Sequence, residues 1–345
     1  ERPTGTGMNA VKALDEFVKS WVQYAYNRVT KSYNLDAICE AKHLQPCIVL
    51  IGGQDTSDYF LSSVEIYSPV SGTWYAFDTE MPAGVYGFGS CFHRGLLYIA
   101  GGLFEDDTTM TRSVQSYDPR LSQWRQVSLM PKPCRGCCLE FHNGALYVAG
   151  GWSSGGQCGR FQRLVLDTME WEQLPPLLTG RWKAVSCVIN ERIVVAGGAN
   201  EVAEVVSSAE QYIISEGRWQ ALPSMGTSRV GAAAVLLEDL FVVIGGKDKD
   251  GTILNTVEAY NFGDCTWSPL PPMSMARFCC SAVIYGGRIV VMGGMKDGVA
   301  LETVERYSPK RMRWENMTGL KAPRLGSATC VMQLPRQKAR PCDDI

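Results

Sequence analysis

The chain has 345 residues, 46% of them hydrophobic and 20% charged, with 33 basic against 35 acidic side chains and a formal net charge of −2. That balance argues against nucleic acid as the main partner, because phosphate binding needs a basic excess, and the apolar content argues against wholesale disorder. No apolar run reaches the roughly 18–20 residues of a membrane span, and the first residues show no basic–apolar–small signal pattern.

Thirteen cysteines without a visible signal peptide favour reduced thiols inside a cell over a disulfide framework. Three histidines, His43, His93 and His142, are few for a histidine-built metal or catalytic site.

Along the chain, residues 9–31 come first. Leu14, Val18, Trp21, Ala25 and Val29 step by 4, 3, 4 and 4, which predicts one face of a helix. A second short helical stretch is expected at Leu35–Leu44. Two readings of the first helix stand on its residues alone. It is a structural linker, or it is a basic amphipathic target for a calmodulin-like groove. In the second reading Trp21 is the anchor and Lys12, Lys19, Arg28 and Lys31 are the charges, although Asp15 and Glu16 weigh against it.

From Ile48 onward a period takes over. Glycine pairs begin at Gly52, Gly101, Gly150, Gly197, Gly245 and Gly293, spaced 49, 49, 47, 48 and 48 apart. A tryptophan follows each by 21 to 23 residues: Trp74, Trp124, Trp171, Trp219, Trp267 and Trp314. Seven residues before it stands Tyr67, Tyr117, Tyr212, Tyr260 or Tyr307, with Leu164 in the third unit. Two residues before that position come Glu65, Gln115, Gln162, Glu210, Glu258 and Glu305.

Each unit reads as four short strands, exemplified by Gly231–Leu237, Leu240–Gly245, Thr256–Tyr260 and a strand starting at Trp267. One such sheet cannot cover both its faces, and six stacked radially can, which predicts a β-propeller. The first unit enters directly at a second strand, Ile48–Gly52. Arg324–Leu334 repeats the first-strand pattern with no glycine pair after it, so the C-terminus should supply the missing strand and close the ring. The expected organisation is a helical segment at 1–45, a six-bladed all-β propeller at 46–334 and a tail at 335–345.

The pattern of Gly-Gly, Glu-x-Tyr and Trp at about 48 residues resembles the Kelch repeat, over roughly residues 46–334. It departs from that pattern in the third unit, where Arg163–Asp167 replaces the tyrosine strand. The segment Glu16–Pro46 resembles a compressed end of the BACK region, which joins a BTB domain to Kelch repeats, and this is a third reading of the helix. The resemblance implies a non-catalytic, cytoplasmic protein-binding module. It would be the recognition propeller of a BTB–Kelch-type ubiquitin ligase adaptor reaching a cullin complex, or a scruin-like actin-binding and cross-linking propeller associated with the cytoskeleton.

Little in the sequence points to catalysis. Cys134, Cys137 and Cys138 contain a C-x-x-C but lack a second ligand pair, so packing in a first strand competes with redox or metal chemistry. His93 and His142 occupy equivalent hairpin turns. Neither a tyrosine–histidine copper set nor an E-x-x-x-D-x-x-x-H iron motif is present, and no cofactor is implied.

A surface is the better candidate. Arg135, Arg181, Arg229, Arg277 and Arg324 recur at spacings of 46, 48, 48 and 47, with Val85 in the remaining blade and with Tyr86, Trp182 and Phe278 beside them. Phe104 and Trp152 follow glycine pairs. Arginine and aromatic residues are typical interface anchors, and a ring of cations predicts an acidic peptide or filament surface as partner. The competing reading is that the arginines brace neighbouring loops.

Overall fold

Both residues of each glycine pair adopt positive φ, for example 64° at Gly245 and 94° at Gly246. A Cβ on Gly245 would lie 2.6 Å from the Arg277 carbonyl oxygen, so glycine is required where blade meets blade. The second strand therefore ends at Ile244, one residue before the pair. Gly231, with φ 61°, likewise delays its first strand to Ala233.

The computed structural model describes residues 44–335 except 58, 105–108, 120, 154 and 157. The helices expected within 1–45 and the tail at 335–345 lie almost wholly outside these residues. Residues 46–333 form one compact unit. Six four-stranded antiparallel sheets follow one another in sequence, and the first strands of successive blades touch, for example Gly89–His93 with Cys138–His142. First strands thus line the axis, and the fold is the expected six-bladed propeller.

The chain ends close the ring as the repeat count predicts. Blade 1 takes Ala328–Pro335 from the C-terminus beside Leu44–Ile51, Ser63–Ser68 and Thr73–Glu80. Thr329 Oγ1 donates to the Val49 carbonyl at 3.1 Å, and Ser327 Oγ to that of Gly52 at 2.9 Å.

Alternation along the second strands builds the core. In Leu240–Ile244, Phe241 and Val243 pack toward blade 4, while Val242 and Ile244 pack toward blade 6. The repeated tyrosine and tryptophan are cross-strand partners, as in Tyr212 and Trp219 with centroids 5.4 Å apart. The indole then hooks the preceding blade: Trp219 Nε1 donates to the Pro175 carbonyl at 2.9 Å, Trp267 to Pro223 and Trp314 to Pro271, each at 2.8 Å. Blade 3 has Leu164 at the tyrosine position, packed toward blade 2, and adds an aromatic ring on its other face, toward blade 4. Phe161 is fully buried, 4.8 Å from Tyr212 and 4.9 Å from Trp219.

Glu140, on the first strand of blade 3, accepts a 2.6 Å bond from Ser186 Oγ of blade 4. Burial between strands raises its pKa to about 7, against which the Ser186 bond works only partly. A folded-state pKa above the unfolded value means that the folded state binds the extra proton between about 4.5 and 7, so stability falls as pH rises through that window. Thermal melts should show Glu140→Gln more stable than wild type at pH 8 and little different at pH 4.5. Equal melting temperatures at pH 8 would disprove the assignment.

Candidate protein-binding mouth

The loop before each first strand and the loop after each glycine pair are joined by backbone bonds, so both open on one face. Tyr86 pairs with Leu103, Arg135 with Trp152, Trp182 with Ala199, Val230 with Lys247, Phe278 with Met295 and Leu325 with Gln54. This shared register corrects the sequence alignment. Arg135 is equivalent to Trp182 and Phe278, not to Arg181, and Cys134 stands at the arginine position of blade 3.

The expected ring of exposed cations is also corrected. Arg181, Arg229, Arg277 and Arg324 are at most 1% exposed. Each side chain turns into its blade and pairs with the glutamate of the third strand: Arg181 with Glu210 at 2.7 Å, Arg229 with Glu258 at 2.7 Å, Arg277 with Glu305 at 2.9 Å and Arg324 with Glu65 at 2.6 Å. Nη1 of each also donates to the carbonyl of the first glycine of the pair, at 2.8, 2.9, 2.7 and 3.2 Å in that order.

The glutamates accept linker N–H groups in turn, from Leu178 and Thr179 at Glu210 and from Lys321 and Ala322 at Glu65. At Glu305, burial pulls the carboxyl up, but bonds from Ser274 and Arg277 outweigh it and hold the pKa below the usual value. That contribution to stability is present at neutral pH and is lost as pH falls.

Where the arginine is missing, so is the glutamate: blade 2 has Val85 with Gln115 and blade 3 has Cys134 with Gln162. A buried charge without its partner is expensive, so the two residues come and go together. Chemical denaturation should show Arg229→Cys and Glu258→Gln each losing roughly 3–5 kcal/mol. The double variant Arg229→Cys with Glu258→Gln, which copies blade 3, should lose less than the sum. Full additivity would mean that no clasp exists.

With these arginines withdrawn, other side chains form the mouth. Tyr86, Trp182 and Phe278 come from alternate blades 2, 4 and 6; Tyr86 and Trp182 are half-buried, while Phe278, 8% exposed, is buried in the cluster beneath them. Trp152 meets Trp182 edge-on at 6.0 Å, and the Arg135 guanidinium lies 5.8 Å from the Trp182 ring. Phe104 is half-buried beside Tyr86 through the pairing of Leu103–Phe104 with Val85–Tyr86.

The sequence reading missed the centre. Lys183 Nζ donates to Tyr86 Oη at 3.0 Å and sits 5.1, 5.5 and 5.2 Å from the rings of Tyr86, Trp182 and Phe278. Tyr86 Oη in turn lies 3.6 Å from Cys279 Sγ. Lys247 Nζ covers the other approach to Phe278 at 5.1 Å. Beneath them lies an axial cavity of about 140 Å³, lined by Gly136, Lys183, Gly231, Cys279 and Gly326 among others.

These lining residues form an inter-blade backbone chain. Gly136 N donates to Gly87 O, Lys183 to Gly136, Gly231 to Lys183, Cys279 to Gly231 and Gly326 to Cys279, at 2.5 to 3.0 Å. All six residues have positive φ, and only Lys183 (49°) and Cys279 (51°) are not glycine. A Cβ on Gly326 would come within 2.5 Å of the Tyr86 ring, so glycine there lets the aromatic side chain cross the mouth. The signal in the sequence was the two non-glycine residues at a glycine register.

The mouth offers cations and aromatic faces. No ion pair of Arg135, Lys183 or Lys247 occurs among the described residues, and no group of three or more His, Cys, Asp or Glu there is placed to hold a metal ion. The cysteines of the first strands sit in the blade cores, where burial pushes Cys138 and Cys280 up to about 12. Lys183→Gly should relieve left-handed strain and leave stability unchanged or raised by up to about 1 kcal/mol, a result that differential scanning calorimetry checks. A large loss of stability would mean that Lys183 is a structural strut.

Residues 48–304, more than half of the chain, match the Attractin/LZTR1 beta-propeller family. Kelch repeat and BTB domain-containing protein 1 of vaccinia virus (strain Copenhagen) is 26% identical over 170 residues, 48% of this chain and 29% of that protein. Human Kelch-like protein 23 is 25% identical over 154 residues, 44% of this chain and 26% of that protein. Alpha-scruin of Limulus polyphemus is 26% identical over 212 residues, 55% of this chain and 22% of that protein. The chain thus spans less than a third of the length of these relatives. Among solved structures, that of YjhT superposes with a TM-score of 0.63 at 15% identity, over 78% of this chain and 97% of that one, which shows the fold alone.

Proposed function

The chain belongs to the Attractin/LZTR1 beta-propeller family, its repeats are Kelch repeats, and on that premise we propose that it is a non-catalytic protein-recognition propeller that takes an acidic segment of a partner at its mouth. One observation carries this reading. Arg135, Lys183 and Lys247 stand over the faces of Trp182, Tyr86 and Phe278 with no ion pair among the described residues. A carboxylate arriving there would gain charge-assisted bonds beside flat apolar anchors.

The setting favoured by the Kelch–BTB and Kelch-like relatives is substrate recognition in a cytoplasmic ubiquitin ligase adaptor, with a cullin complex reached through other regions. The match to alpha-scruin over 55% of this chain favours a second reading, binding and cross-linking of actin filaments. A calmodulin-like partner for the helix expected at 9–31 belongs with that second reading.

Binding to arrays of acidic and neutral peptides tests the mouth, and filament cosedimentation separates the second reading from the first. Acidic peptides should bind and weaken with salt. Arg135→Ala and Trp182→Ala should each cost about 10-fold or more in affinity, as loss of a charge-assisted or aromatic anchor does, with the melting temperature of Arg135→Ala unchanged. Equal binding of neutral peptides, or undiminished binding by both variants, would refute the proposal.

A further inference from the structure

Two outer edges of the propeller carry opposite charge. The fourth strand of each blade, here Glu170–Leu174 in blade 3 and Arg313–Met317 in blade 6, is the outermost and ends its sheet. In a ring of six, blades 3 and 6 lie opposite one another.

At blade 6, Arg306, Arg311 and Arg313 surround one carboxylate, Glu315, with Lys310 in the adjoining turn. Arg306 Nη2 reaches it at 3.1 Å, Arg311 Nη1 at 3.0 Å and Arg313 Nη2 at 2.9 Å. Hydrogen bonding from Arg313, then Arg311 and Arg306, outweighs desolvation and holds its pKa down at about 2. One carboxylate cannot occupy the donors of three guanidiniums, each a five-donor fork. The Arg311 and Arg313 side chains are 61% exposed, and Lys310 is exposed.

At blade 3 the balance is inverted. Asp167, Glu170 and Glu172 are exposed, and Arg163 pairs with Glu172 at 2.7 Å. Each edge also raises a methionine at the same turn position, Met312 at 63% and Met169 at 54% exposure. Both have positive φ, 50° and 59°. The corresponding turn of blade 4 holds a balanced Glu216–Arg218 pair, and that of blade 1 holds Val70 and Ser71. The opposed charges at blades 3 and 6 are thus not a feature of the repeat.

We propose that the basic edge of blade 6 docks on the acidic edge of blade 3 of a second copy of this chain, with Met312 and Met169 as the apolar contacts between the charges. The two patches differ and lie on opposite sides of the ring. The contact is therefore heterologous and propagates head to tail instead of closing as a two-fold dimer. A patch of this size makes a weak, salt-sensitive contact.

Sedimentation velocity of the 345-residue chain tests the proposal. Wild type should show mass rising with concentration at low salt and a monomer at about 1 M salt, where the Debye length is about 3 Å. Arg311→Glu with Arg313→Glu should abolish association, because both edges become acidic. Asp167→Lys with Glu170→Lys should do so too, because both become basic. Mixing the two double variants should restore heavier species, since each now complements the other. A wild type that stays monomeric at all concentrations, association insensitive to salt, or a mixture that stays monomeric would overturn the proposal. The salt arm uses wild type alone, so it stands even where a variant fails to fold.

Discussion

The buried arginine–glutamate clasp holds the repeat together. Each blade must accept a chain that leaves its neighbour's outer strand, crosses to the axis and turns into a new first strand. That crossing exposes backbone N–H groups in a crowded, dry place. A carboxylate such as Glu210 can accept two of them, but only as an anion, and a buried anion needs a counter-charge. Arg181 supplies it and spends its remaining donors on the carbonyls of Gly197 and Ser208, which the left-handed glycine turn leaves inside. Glycine pair, arginine and glutamate are therefore parts of one device. Blades 2 and 3 show what happens without it: both charges are absent together.

This device empties the mouth of the arginines that sequence reading places there, and what replaces them has a different character. The buried arginines point away from solvent, and the residue after each packs into an apolar cluster at the mouth, Trp182 half-buried and Val230, Phe278 and Leu325 buried. In blades 2, 4 and 6 that residue is aromatic, so the mouth is built on flat rings. Lys183 and Cys279 then stand in left-handed conformations at positions that elsewhere are glycine. Tyr86 connects the two across the axis, which makes the rim of the cavity one cluster and not six independent loops.

The departures from six-fold symmetry are the informative residues. The cores repeat in all six blades and the clasps in blades 1, 4, 5 and 6, because these blades solve the same packing problem. Arg135 in place of an aromatic or aliphatic side chain, Leu164 in place of a tyrosine and the opposed charges of blades 3 and 6 are not required by that problem. Arg135 and the charges of blades 3 and 6 lie on the face and the edges, whereas Leu164 is buried in the core between blades 2 and 3.

From the residues alone, the number of blades, the strand order within each and closure by the C-terminal segment were all legible. They follow from a period and from the rule that a sheet must cover both faces. The strand ends were legible to within one or two residues, and glycine φ decided the rest. The mouth was legible as a face but not in its members. An arginine beside an aromatic residue reads as an anchor, and only tertiary packing shows that the neighbouring third strand holds a glutamate 2.6 to 2.9 Å away. The one-residue shift that makes Arg135 equivalent to Trp182 was hidden because aligning by residue type aligned the arginines, whereas the fold aligns the left-handed residues that follow. Lys183 was marked in the sequence only as a non-glycine residue at a glycine register, and its meaning depends on three rings drawn from three blades whose contact exists only once the ring has closed.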